Sequence, residues 1–157
     1  MKNLLILLVV FLCFACKNEN SKMALSQAVV QDYSNLFDEI AIEKLTEKII
    51  AYEQKTSNQI CIYTIDSLPN NENMLDKATT IANTLGVGTE DKSNGLLILI
   101  SNYDRRIAIA TGYGTEKIIT DSIAQAIIST TLIPKFKNAL YFEGIDNALD
   151  SLFVKWN

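Results

Sequence analysis

The sequence predicts an α/β fold, a three-layer αβα sandwich whose mixed central sheet is flanked by about four helices. Three observations carry this reading. Segments with helical spacing alternate with short β-branched runs. The run Leu96-Leu97-Ile98-Leu99-Ile100 is apolar on both faces, as a strand covered by helices on each side must be. A polar turn, Asn102-Tyr103-Asp104-Arg105, then joins it to residues 107–111, which predicts an antiparallel partner.

The elements follow in order. A short strand is expected over residues 28–32. Ile42, Leu45, Ile49 and Tyr52 share a helical face, with Asp38 placed to cap it. Residues 60–65 are a β-branched strand run, and Cys61 within it reads as a small buried hydrophobe. A loop with Pro69-Asn70-Asn71 leads to a second helix with Leu75, Ala78, Ala82 and Leu85 as its apolar stripe, stopped by Gly86 and Gly88. Ile123, Ala126 and Ile127 open a third helix, expected to end at β-branched residues and Pro134. Phe142, Ile145, Leu149, Leu152 and Trp156 mark a fourth. There are no repeats, low-complexity tracts or internal linkers.

Composition narrows the chemistry. At 157 residues and 48% hydrophobic, the chain is one domain with a normal core rather than a disordered or fibrous protein. Its net charge of −4 lacks the field that gathers nucleic acid, so no nucleic-acid partner is expected. With no histidine, Ser/His/Asp triads, Cys/His pairs and His-ligated zinc are excluded.

The first fifteen residues read as an address. Lys2 precedes an apolar run over residues 4–15, too short to span a bilayer but the length of a signal-peptide core. Ala15-Cys16 followed by Lys17-Asn18-Glu19-Asn20 resembles a bacterial lipobox, in which Cys16 is acylated after cleavage. Residues 1–15 are thus expected to be a lipoprotein signal peptide, 16–27 the lipidated start and a polar tether, and 28–157 the folded domain. A plain secretory signal cut near Cys16 would keep the export and lose the anchor. The expected location is the cell envelope, periplasmic or surface-facing, with a membrane held through the Cys16 lipid. Loss of Lys2 takes the charge from −4 to −5.

Polar residues outside the structural pattern gather in two loops. One is Gly86-Val87-Gly88-Thr89-Glu90-Asp91-Lys92-Ser93-Asn94-Gly95, before the central strand; the other is Thr111-Gly112-Tyr113-Gly114-Thr115-Glu116, after its partner. A hairpin brings both to one edge of the sheet, where Asp91, Glu116 and Asp121 converge as hard oxygen ligands suited to calcium or magnesium. Asn94, Gly95, Gly112, Tyr113 and Gly114 would form the ligand loop. Each has a plainer alternative: Asp121 or Thr120 as a helix cap, Asn94-Gly95 as turn chemistry, the glycines as positive-φ positions, Arg105 as the partner of Asp104.

The ordered set of motifs resembles the TPM domain family. It runs from Val30-Gln31-Asp32 through Leu85-Gly86-Val87-Gly88 and Asp91-Lys92-Ser93-Asn94-Gly95 to Asp104-Arg105, Gly112-Tyr113-Gly114-Thr115-Glu116 and Thr120-Asp121. It closes with Pro134-Lys135-Phe136 and Tyr141-Phe142-Glu143-Gly144-Ile145. Thr115 departs from the family's usual leucine. The resemblance implies an α/β sandwich, divalent-metal binding, more often calcium than magnesium, and in one plant member acid phosphatase activity. On that model Asp91, Glu116 and Asp121 hold the metal, Asp121 and Arg105 are catalytic, and Arg105 clamps phosphate. A hairpin, however, puts Asp104, Arg105 and the further candidate Asp32 at the far end of the sheet from that cluster. The competing expectation is a non-catalytic binding or scaffold module of the envelope, with a protein partner or a phosphorylated ligand.

Overall fold

The computed structural model describes residues 29–69 and 72–157. The expected signal peptide, Cys16 and the tether lie outside the described residues, as do Ala28, Asn70 and Asn71.

The elements are β1 (Val30–Asp32), α1 (Glu39–Thr56), β2 (Gln59–Ile65), α2 (Met74–Leu85), β3 (Gly95–Ser101), β4 (Arg106–Thr111), α3 (Tyr113–Glu116), α4 (Asp121–Ile127), a π-helical turn (Ile128–Leu132), α5 (Ile133–Phe136) and α6 (Tyr141–Lys155). The strands lie in the order β1-β2-β3-β4. β1, β2 and β3 run parallel, with Val30 opposite Ile62 and Gln59 opposite Gly95. β4 returns antiparallel on β3, from Ser101 opposite Arg106 to Leu96 opposite Thr111. The sheet therefore has a carboxyl edge, where the parallel strands and the β3–β4 turn end, and a loop edge, where the two glycine-rich segments meet.

Alternation along the strands sorts side chains into two cores. Ile60, Ile62, Leu96, Ile98, Ile100 and Ile109 face Leu45 and Ile49 of α1, Ile127, Ile128 and Leu132, and Ile145, Leu149 and Leu152 of α6. On the opposite face Cys61, Leu97, Leu99, Ala108 and Ala110 meet Met74 and Ala78 of α2. The three layers are thus unequal, with one helix on one side and three helical bodies on the other. Cys61 is part of the thinner core, and burial pushes its thiol up to about 12, which keeps it protonated and unreactive.

Asp38 caps α1 as expected, its Oδ1 accepting from Ala41 N at 2.7 Å. Two expectations need correction. In α2 the buried stripe is Met74, Ala78, Ile81 and Ala82, while Leu75 and Leu85 are exposed. Asn73 caps this helix, accepting from Leu75 N and Asp76 N. The face that meets Leu97, Leu99, Ala108 and Ala110 of the sheet carries Met74 and Ala78 with Ile81 and Ala82 beside them, and it leaves Leu75 and Leu85 on the solvent side. The third helix does not stop at its β-branched residues. Ile133 N–H reaches back five residues to Ile128 O. This wider turn carries the chain into α5, where Pro134 sits at the first turn and its missing N–H costs no ladder bond.

The ends of α1 and α6 are joined by a polar clamp. Tyr52 Oη donates to Trp156 O, and Asn58 Nδ2 donates to both Tyr52 Oη (3.1 Å) and Trp156 O (3.1 Å). Tyr52 also stacks on Phe153, ring centroids 4.0 Å apart. Lys48 adds ion pairs to Asp146 (2.6 Å) and Asp150 (2.7 Å). Burial of Tyr52 raises its pKa, so the phenol stays a donor across ordinary pH. Tyr52→Phe keeps the stack and removes the donor from the buried Trp156 carbonyl; it is expected to cost about 1–2 kcal/mol, read as a fall in the urea midpoint at unchanged m-value.

Candidate functional site

At the loop edge the two glycine segments are stitched backbone to backbone. Gly112 N donates to Gly95 O (2.9 Å), and Gly114 N and Thr115 N donate to Ser93 O (3.0 and 3.3 Å). A Cβ on Gly112 would stand 2.3 Å from Ser93 O, and one on Gly114 2.0 Å from Lys92 O. These glycines let one loop press against the other. Asn94 is buried and committed: Oδ1 accepts from Thr89 N (2.9 Å) and Thr89 Oγ1 (3.0 Å), and Nδ2 donates to Ser57 O (2.6 Å). Tyr113 is exposed.

The carboxylates at this edge are not assembled. The neighbouring Thr89 hydroxyl, with the backbone N–H groups of the turn and Lys92, holds the exposed Asp91 carboxyl below the usual carboxylate range. Glu116 closes α3 and Asp121 opens α4. The N-cap of α4 is Thr120, and it makes no side-chain cap bond. Among the described residues no group of three or more Asp, Glu or Cys is placed to hold a metal ion. Asp91, Glu116 and Asp121 follow the loops expected of them without forming one ligand set.

At the carboxyl edge two acids act as staples. Asp32 Oδ1 accepts from Thr64 Oγ1 (2.5 Å) and Leu36 N (3.1 Å), and Oδ2 from Phe37 N (2.8 Å). Asp104 Oδ2 accepts from Ser101 Oγ (2.6 Å) and Leu68 N (2.7 Å), tying the loop after β2 to the β3–β4 turn. Those bonds, Ser101's foremost, lower the Asp104 pKa. Arg105 therefore does not have Asp104 as its ion-pair partner. It holds a left-handed backbone, φ 52°, a conformation uncommon outside Gly and Asn.

Beside that turn lies a cleft of about 540 Å³, bounded by residues 100–107 of the hairpin and by α5, its following loop and Tyr141 of α6. Arg105, Arg106 and Lys137 supply its charge, and Phe136, Tyr141 and Ile133 much of its apolar wall. Five steps of register separate the arginine end of the hairpin from Thr111, about 17 Å along the strands. Arg105 and the loop-edge carboxylates thus serve different places. The sequence reading missed Arg106, Lys137 and Tyr141. The available signal was that Arg105 and Arg106 are the only arginines in the chain.

A family profile for the TPM domain matches residues 30–155. The chain belongs to the TPM domain family. Among curated proteins none matches the sequence. The TPM domain here is similar to the solution structure of the N-terminal domain of a protein from P. gingivalis, with 26% identity, a TM-score of 0.74, and coverage of 86% of this chain and 85% of that one. It shares its fold with the BA42 protein of the psychrophilic bacterium Bizionia argentinensis (15% identity, TM-score 0.64, 79% and 83% covered). The same holds for the N-terminal domain of the cg2496 protein from Corynebacterium glutamicum (13%, 0.62, 82% and 79%). Within this TPM domain the acids of Val30-Gln31-Asp32 and Asp104-Arg105 brace loops, and Gly112 and Gly114 allow a backbone contact.

Thr115 is fully buried, and its Oγ1 has no hydrogen-bond partner among the described residues. Thr115→Val removes an unpaired hydroxyl at nearly constant volume and is expected to stabilise the domain by about 1 kcal/mol, read as a higher Tm. Asp104→Asn tests the staple. The folded pKa lies below the unfolded value, so the stabilisation is present above about pH 4 and is lost as pH falls through the folded pKa. The variant should have a lower urea midpoint than wild type at pH 7, and the gap should close on acidification below pH ~4.

Proposed function

We propose that this chain is a non-catalytic ligand-binding module of the cell envelope, held to a membrane by lipid on Cys16, and that its ligand enters the cleft at the carboxyl edge. The observation that carries this reading is the pairing of the chain's two arginines on the wall of that cleft. Open α/β sheets commonly take ligands outside the carboxyl ends of their strands, and the volume lies within the range of small-molecule sites. Two acids of the same edge, Asp32 and Asp104, are spent on loop hydrogen bonds, which favours binding over acid–base catalysis.

The name of the matched profile, TPM phosphatase, favours a second reading. There Asp91, Glu116 and Asp121 draw together around a divalent cation, calcium ahead of magnesium, and the site hydrolyses phosphomonoesters with Asp121 at the reacting centre. Arg105, at the opposite edge, supplies no phosphate clamp on that route.

Amide chemical shifts separate the two. A panel of small anionic and neutral fragments is expected to move amides of residues 101–107 and 133–141 and to leave 86–95 and 111–121 in place. The EDTA-stripped protein is expected to melt at the same temperature with and without calcium or magnesium. The cleft reading fails if fragments move only the loop edge. It also yields to the second reading if calcium, at about 100 times its Kd, adds the roughly 2.7 kcal/mol of a saturated site and Asp121→Asn abolishes that gain together with phosphate release.

A further inference from the structure

We propose that the free edge of β4 takes up an extended, acidic segment of a partner protein as a further strand of the sheet, with the segment's carboxylates at Arg105, Arg106 and Lys137. The proposal rests on the cleft being the ligand site and names the ligand as a peptide segment.

β4 is an outer strand of the sheet, paired with β3 alone. Gly112 N donates to Gly95 O, and from there the register runs unbroken to Ser101 opposite Arg106. Antiparallel pairs alternate between bonded and non-bonded. Arg106, Ala108 and Ala110 therefore bond to β3, while Ile107, Ile109 and Thr111 turn their N–H and C=O groups outward. No hydrogen bond among the described residues reaches those outward groups. Ile109 is 6% exposed, and its neighbours Ala108 and Ala110 are 5% exposed each. Unpaired backbone groups with so little access to water are costly and call for a partner. Folds guard open edges with very short strands, proline, lysine or a bulge. β1, the other outer strand, is three residues long; β4 has six, with no proline, lysine or bulge. Another strand, offering an N–H and a C=O at every second residue, matches what this edge presents.

The edge runs into the cleft, since Arg106 and Ile107 belong to both. Arg105, Arg106 and Lys137 stand on the cleft wall, and no acid does. None of the ion pairs among the described residues involves them. Asp104, the acid of the turn, is an electrostatic neighbour of Arg106 but directs its carboxylate to Ser101 and Leu68. This is local positive charge on a chain of net charge −4, and the complementary partner at that end is acidic. Guanidinium groups present paired donors that match a carboxylate. Antiparallel pairing, the commoner arrangement, puts the carboxyl-terminal end of the incoming segment beside Arg106, where β4 begins. Side chains of that segment alternate between the two faces of the sheet. One of them is set to enter the cleft, against the edge-to-face pair Phe136 and Tyr141, whose centroids are 5.1 Å apart. The recognised pattern is thus an extended stretch with an aromatic or apolar residue followed by acids. A second copy of this chain fits less well, because its own edge, Arg106–Thr111, brings no acid to the arginines.

The test uses the protein without residues 1–15 and with Cys16→Ser, so that no lipid tethers it. The probe is the peptide acetyl-Thr-Val-Thr-Val-Thr-Phe-Glu-Asp. At about ten times its Kd, hydrogen exchange at the amides of Ile107, Ile109 and Thr111 should slow roughly tenfold. Exchange at Ala108 and Ala110, already in the ladder, should stay as it is, and amide shifts should move over 101–111 and 133–141. Arg105→Gln and Arg106→Gln, both at exposed positions and so expected to leave the spectrum folded, should each weaken binding about threefold. A peptide ending in Gln-Asn in place of Glu-Asp should bind more weakly still. Methylating the peptide nitrogens that face β4 keeps the side chains and removes the donors; binding should fall roughly tenfold or more. If the methylated peptide binds as tightly, or residues 107, 109 and 111 exchange at the free rate while the peptide is bound, strand addition is overturned. If the Gln-Asn peptide binds as well, the acidic class is overturned. If those three amides are protected in the protein alone and lose that protection on dilution, a second copy holds the edge and the proposal falls. If fragments move 101–107 and 133–141 and the peptide does not, the cleft stands without a peptide partner; if neither moves them, the cleft reading falls as well.

Discussion

The domain is organised by one constraint, the complete burial of β3. All seven of its residues are buried. Its backbone groups must therefore find partners in β2 and β4, and its side chains must find cover on both faces. Covering both faces requires α2 on one side and the α1, α4–α5 and α6 assembly on the other. Pairing both edges fixes the antiparallel return of β4. That return places the two ends of one hairpin, and with them the two polar regions of the protein, at opposite poles of the sheet.

Those poles resemble each other in sequence and differ in physical state. Both are polar turns with Asn and Asp, but the glycines of the turns, Gly86, Gly88, Gly95, Gly112 and Gly114, all lie at the loop edge. At the loop edge the polar groups satisfy one another, with Asn94, Ser93 and the backbone of 112–115 closing a network. At the carboxyl edge Asp32 and Asp104 satisfy the backbone, while among the described residues the arginines enter no ion pair. Buried, paired polar groups rigidify a structure, whereas uncommitted charge on a concave wall remains available to something outside it. Conformation points the same way, since Gly88, Gly95, Gly112 and Gly114 are found where backbones touch and an arginine stands where glycine would be easier.

The fold was legible because its signals are local and repeated. Period-3.6 spacing marked α1 and α6, a doubly apolar run marked β3, and a polar turn marked the hairpin. What escaped were quantities set by long-range packing. Which face of α2 is buried is decided by its packing against Leu97, Leu99, Ala108 and Ala110 of the sheet. The continuity of the third helix depends on a widened turn that hides Pro134's missing donor, and no window of sequence displays it. The site was half legible. Chain order located the loop-edge acids and the far placement of Arg105. The cleft is made by residues 100–107 and 133–141, two segments whose approach only the packing of α5 and α6 decides.

The Tyr52 clamp has an optical consequence. Trp156 is the only tryptophan in the chain and is 3% exposed, one residue past α6 and beside the Tyr52 ring. Emission excited selectively from this tryptophan therefore reports the lifting of the last turn of α6 from α1. The sheet and both polar poles, which carry tyrosines but no tryptophan, are silent in that signal. Fluorescence that precedes circular dichroism on heating would mean that the carboxy-terminal helix frays first, and fluorescence that coincides with it would mean that the clamp and β3 let go together.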